Sequence, residues 1–151
     1  MRSTRGSIFI ATVIVALASL AGPVSAQSPS PDVANALHLT KDCSGFTGAL
    51  GSTCIITASN LDAIPVGSKY IYYGPELNNP MFTSSAMVLD AGDGNTAAGY
   101  CMVDDKNGPL GMCTFWAGTG TLAGFNAVAE VTIDQAGLWH VDGTYLFSTA
   151  Q

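Results

Sequence analysis

Phe125-Asn126-Ala127-Val128-Ala129-Glu130-Val131-Thr132-Ile133, followed beyond a Gln135-Ala136-Gly137 turn by Leu138-Trp139-His140-Val141-Asp142-Gly143-Thr144-Tyr145-Leu146-Phe147, reads as a β-hairpin. Side chains two apart along a strand share a face. On the first strand Phe125, Ala127, Ala129, Val131 and Ile133 therefore stand together, and Asn126, Val128, Glu130, Thr132 and Asp134 stand opposite. On the returning strand Trp139, Val141, Gly143, Tyr145 and Phe147 form the apolar set, with Leu138, His140, Asp142, Thr144 and Leu146 behind it. The turn brings Glu130 opposite either His140 or Asp142, depending on register.

Upstream, runs rich in apolar and β-branched residues alternate with turn signals, and none keeps a helical apolar period for three turns. Strands are expected at about 36–40, 54–59, 69–73, 81–90, 96–103, 112–116, 122–133 and 138–147. Gly51-Ser52, Ile64-Pro65-Val66-Gly67, Gly92-Asp93-Gly94-Asn95, Asn107-Gly108 and Gly118-Thr119-Gly120 supply the bends between them. Eight short strands with tight turns predict an all-β fold, an eight-stranded antiparallel barrel, although a sandwich would give a similar string.

The chain of 151 residues is 48% hydrophobic and 11% charged, a balance that favours a packed core over disorder. Residues 1–26 read as a cleavable signal peptide. Arg2 and Arg5 precede an uncharged apolar run from Ile8 to Leu20, and Val24-Ser25-Ala26 offers small residues for cleavage. As a helix that run would reach only about 20 Å, short of the roughly 30 Å hydrocarbon core of a bilayer. Residues 27–35 read as a flexible lead-in and 36–151 as the barrel domain. After cleavage only Lys41, Lys69 and Lys106 oppose all 11 acidic residues. So acidic a surface argues against nucleic acid and anionic lipid as partners, and the expected location is extracellular or periplasmic.

Cys43, Cys54, Cys101 and Cys113 in an exported chain predict two disulfides. Cys101 and Cys113 flank the turn-rich block Asp104-Asp105-Lys106-Asn107-Gly108-Pro109 and should face each other across a hairpin, leaving Cys43 to pair with Cys54. Neither pair has the short spacing of a zinc site. The stretch Asp90-Ala91-Gly92-Asp93-Gly94-Asn95 lacks the acidic spacing of a calcium loop. No metal or cofactor is called for.

Two groups of residues could carry chemistry. Glu130, His140 and Asp142 share one face of the final hairpin and would make a catalytic acid/base group if that face lined a cavity. Antiparallel strands more often put such a face in water. Tyr70, Tyr72 and Phe115 are the leading candidates for ligand binding. Tyr73, Phe46, Phe82, Trp116 and Met112 could join them in an apolar pocket, or all could simply fill the core. His38 has no local partner and reads as a surface residue. No nucleophile elbow, phosphate loop or Asn-x-Ser/Thr site is present.

Gly118-Thr119-Gly120-Thr121-Leu122-Ala123-Gly124-Phe125, with Gly137-Leu138-Trp139-His140-Val141-Asp142-Gly143-Thr144-Tyr145, resembles the barrel shared by allene oxide cyclases and dirigent proteins. The segments 40–46, 57–67 and 88–95 also look like secreted bacterial proteins carrying an allene oxide cyclase barrel-like domain. The resemblance implies an eight-stranded barrel with a hydrophobic lumen. It also implies oligomerisation, since the plant relatives assemble as trimers. Where dirigent proteins have Gly-Gly-Thr-Gly-x-Phe, this chain has Ala117-Gly118-Thr119-Gly120-Thr121-Leu122, so the likeness lies in a structural turn and transfers no site residue.

Two functions follow as expectations. One is a barrel binding a small hydrophobic molecule in its lumen, with a cyclase-like, isomerase-like or dirigent-like activity as its enzymatic form. The other is a non-catalytic extracellular structural or interaction protein whose barrel is filled. Small inward residues such as Ala127, Ala129 and Gly143 would favour the first.

Overall fold

A computed structural model describes residues 34–73, 83–104 and 110–148. The leader, most of the lead-in, Met81 and Phe82 of the fourth expected strand, and 105–109 of the expected hairpin turn lie outside the described residues. Eight strands run β1 (Asn35–Asp42), β2 (Thr53–Ser59), β3 (Lys69–Tyr72), β4 (Thr83–Asp90), β5 (Thr96–Asp104), β6 (Leu110–Trp116), β7 (Phe125–Ile133) and β8 (Trp139–Phe147). Each pairs antiparallel with the next, and β8 pairs with β1, closing an up-and-down barrel. The barrel, rather than the sandwich, is the architecture, and closure leaves no sheet edge unpaired.

Alternation decides what enters the lumen. Leu37, Leu39 and Lys41 of β1, Tyr70 and Tyr72 of β3, Cys113 and Phe115 of β6, and Phe125, Ala127, Ala129 and Val131 of β7 are all buried. Their neighbours on the opposite face, among them Tyr73, Met112, Trp116 and Val128, are exposed. Strand boundaries differ from expectation mainly before β7. There Gly120–Leu122 forms a 3₁₀ turn, and Leu122 is fully buried beneath it. In β2 the register slips, since Thr40 faces Ala58 while Lys41 faces Ile56. This bulge at Thr57 falls beside Lys41, bending the strand where the barrel changes character.

Toward one end of the barrel the inward side chains are largely aromatic. Tyr70, Phe115 and Phe125 form a chain of ring contacts at 5.6 and 6.2 Å, and Phe125 continues to Tyr145 and Phe147 at 6.0 and 5.5 Å. Ala127, Ala129 and Gly143 are not among the residues lining the cavity described below. The disulfides are Cys43–Cys54 and Cys101–Cys113, the second joining residues directly opposite on β5 and β6. They suit an oxidising compartment. Among the described residues no helix is long and apolar enough to cross a membrane.

Candidate functional site

Toward the other end of the barrel, where β1 ends and β8 begins, lies a cavity of about 320 Å³. That is at the low end of the roughly 300–1,000 Å³ typical of small-molecule sites. Phe46, Tyr72, Val103, Val131 and Trp139 give it apolar walls, and Cys43, Cys54 and Cys101 bring both disulfides to its lining. Its polar members besides the Tyr72 hydroxyl are Lys41 and Ser85, and the Ser85 hydroxyl donates to the Ala86 carbonyl.

Lys41 is the unusual member. Strand alternation carries it inward behind Leu37 and Leu39, and only 3% of it is exposed. Its Nζ donates to the Tyr72 hydroxyl at 2.9 Å. The Cys54 sulfur, already in a disulfide, can only accept, so the Tyr72 O–H points to it at 3.7 Å and leaves oxygen lone pairs toward the amine. Phe46 holds the Tyr72 ring edge-on at 4.8 Å between centroids. Nζ also lies 4.6, 5.6 and 5.8 Å from the ring centroids of Tyr70, Tyr72 and Trp139.

Those rings favour an ammonium through their negative faces. Removal from water opposes it and prevails, lowering the Lys41 pKa from 10.5 to about 7. Among the described residues no carboxylate lines the cavity or forms an ion pair with Lys41. The arrangement therefore presents, in an apolar enclosure, an amine that is uncharged in part at neutral pH. Such a group can donate a hydrogen bond to a ligand oxygen, neutralise an acid, or attack an electrophilic carbon.

The candidates from sequence divide sharply. Tyr72 lines the cavity, while Tyr70 and Phe115 pack beneath it as core. The Tyr70 hydroxyl is buried without a hydrogen-bond partner among the described residues, and burial, then the neighbouring Tyr72, holds its pKa well above the ordinary value. Phe46, which could have lined a pocket or filled the core, joins the lining, whereas Tyr73, Met112 and Trp116 face outward.

Glu130, His140 and Asp142 stand on the outer face of the barrel, so the condition for their acting together, a cavity on that face of the hairpin, is not met in the lumen. Glu130 is opposite Asp142, fixing the register, and borders an outer groove with Met102 and Met112. Asp142 instead meets His38 of β1, Oδ1 to Nδ1 at 2.9 Å, so His38 is exposed but not without a partner. His140 Nε2 meets Asp134 Oδ2 at 3.0 Å, and this bond, with the Leu138 N–H, lowers the Asp134 pKa. His140 and Asp142 thus belong to two separate surface His–Asp pairs and Glu130 to neither, because alternating polar residues of a barrel wall face water.

Sequence reading missed Lys41. The available signal was its position two residues beyond Leu39 on the same face, which a strand ending at residue 40 concealed. Among the described residues no cluster of His, Cys, Asp and Glu could hold a metal ion. No family model, curated protein or solved structure matches the chain.

Proposed function

We propose that this chain is an exported barrel protein that binds one small, largely apolar molecule at the open end of its lumen, with the molecule's polar group turned toward Lys41 and Tyr72. The observation that carries this is the cavity itself: apolar walls around a buried amine that has no acidic partner among the described lining residues. Uncompensated burial of an amine is costly, and it persists where the site has a use for it. The leader and the disulfides support export.

The resemblance to the allene oxide cyclase barrel makes a cyclase or isomerase the enzymatic form of this reading. A fitted apolar chamber accelerates such a reaction by holding one reactive conformer and excluding water, with little acid/base apparatus. The size of the cavity limits the ligand to a ring or short chain rather than a long lipid tail.

The test uses trans-cinnamyl alcohol as probe, followed by native mass spectrometry and by Trp139 fluorescence in a Trp116→Phe background. Wild type should take up one molecule per chain saturably. Val131→Trp, which fills the cavity, should weaken binding at least about tenfold, a loss of about 1.4 kcal/mol. Absence of one-to-one uptake by wild type, or equal uptake by the variant, overturns the proposal.

A further inference from the structure

We infer that Lys41 is a covalent capture residue, its Nζ condensing with the carbonyl carbon of an apolar aldehyde or ketone held in the lumen to form an imine. This rests on the lumen-binding reading and names the class of ligand it serves.

Four features of the site favour it. Lys41 and its hydrogen-bond partner Tyr72 both line the cavity, which sets the amine beside a molecule held there. The Tyr72 hydroxyl stands 2.9 Å from Nζ, close enough to pass protons between the nitrogen and the oxygen being displaced. The surroundings are apolar rings and disulfide sulfur, which solvate the charges of imine hydrolysis less well than bulk water does. No carboxylate among the described lining residues holds the amine as an ion pair, and burial leaves it in part unprotonated near pH 7, the form whose lone pair attacks.

An anionic ligand is less well served. One oxygen of a carboxylate could meet Lys41 and Tyr72, but among the described lining residues the other side-chain donors are Ser85, whose hydroxyl is already committed to Ala86, and the indole N–H of Trp139. The second oxygen would depend on that neutral indole alone, with no second cation to balance its charge among the described lining residues. A carbonyl has one oxygen, and condensation removes it.

The step balances without an oxidant or reductant. The nitrogen lone pair forms the C–N bond while the carbonyl π pair moves to oxygen, which takes one amine proton by way of Tyr72. The second amine proton follows, the C–O bond breaks, water leaves, and the nitrogen pair closes C=N. The imine then stands against the faces of Tyr70 and Trp139, whose quadrupoles stabilise its protonated, cationic form.

The experiment incubates the full-length, disulfide-intact protein at pH 7 with trans-cinnamaldehyde and cyanoborohydride. Intact mass and peptide mapping then locate the reduced adduct, a gain of one aldehyde less its oxygen. The exposed Lys69 serves as the comparison within the same sample. Lys41 should be labelled at least about tenfold faster than Lys69, and Lys41→Met should lose only that label.

Parallel native spectra with trans-cinnamyl alcohol and trans-cinnamate separate the readings. If the alcohol binds one-to-one but Lys41 labels no faster than Lys69, the imine is overturned while lumen binding stands. If cinnamate binds in preference to the alcohol and Lys41 stays unlabelled, the site pairs ions and the imine is again overturned. If Lys41 stays unlabelled and none of the three probes binds, both readings fall.

Discussion

Lys41 follows Leu37 and Leu39 on the inward face of β1 and is buried as they are, yet it carries an amine. Its pKa of about 7 in the folded chain lies below the ordinary 10.5, so between those values the unfolded chain binds more protons. Stability therefore rises with pH across that window, and the full cost of burying the ammonium is felt below about pH 7. Urea unfolding of wild type should show stability increasing from pH 7 to 9. Lys41→Met should remove that rise and be more stable at pH 7 by about 1–3 kcal/mol. Identical pH profiles would show that the amine is solvated in the folded protein. Above this range Tyr70 acts in the opposite sense, because its raised pKa keeps it protonated after unfolded tyrosines have ionised. Little of this was legible in the sequence. The alternation placed residue 41 on the apolar face, but its polar partner Tyr72 is 31 residues away and joins it only when the barrel forms.

At the scale of the element, β7 and β8 were the best defined by their pattern, and their two faces were separated correctly before the structure assigned one to the lumen. Glu130, His140 and Asp142 drew attention as a cluster because they share a face, and that same shared face puts them outside. Sequence pattern identifies the sets; closure of the barrel decides which set meets solvent. The approach of these two strands depends on Gly143, which lies opposite Ala129 and Leu37. A Cβ there would press on the Val128 carbonyl oxygen and on Ala129, backbone that cannot yield cheaply. Gly143→Ala should destabilise the protein by about 1–3 kcal/mol in urea unfolding. An effect below about 0.5 kcal/mol would mean that the strands can separate there without loss. The start of β7 was not legible, because Gly118-Thr119-Gly120 is followed by a 3₁₀ turn whose Leu122 is fully buried. An apolar leucine beside a strand pattern gives no sign of that change.

For the whole molecule, the eight strands, their antiparallel order and both disulfides followed from turn signals, alternation and cysteine spacing, since each of these is local along the chain. What the lumen contains was not legible, because it depends on side chains from all eight strands meeting at one level. The result is asymmetric: rings from Tyr70 to Phe147 gather toward one end, and the other end keeps a cavity with both disulfides in its lining. The closed wall is what withholds water from Lys41, so the state of that amine reports on the barrel as a unit. A carbon-13 NMR titration of the lysine ε-carbons measures it directly. One lysine resonance should titrate with a midpoint near pH 7 and be missing from Lys41→Met. A wild-type spectrum in which no lysine titrates below about pH 9 would contradict it.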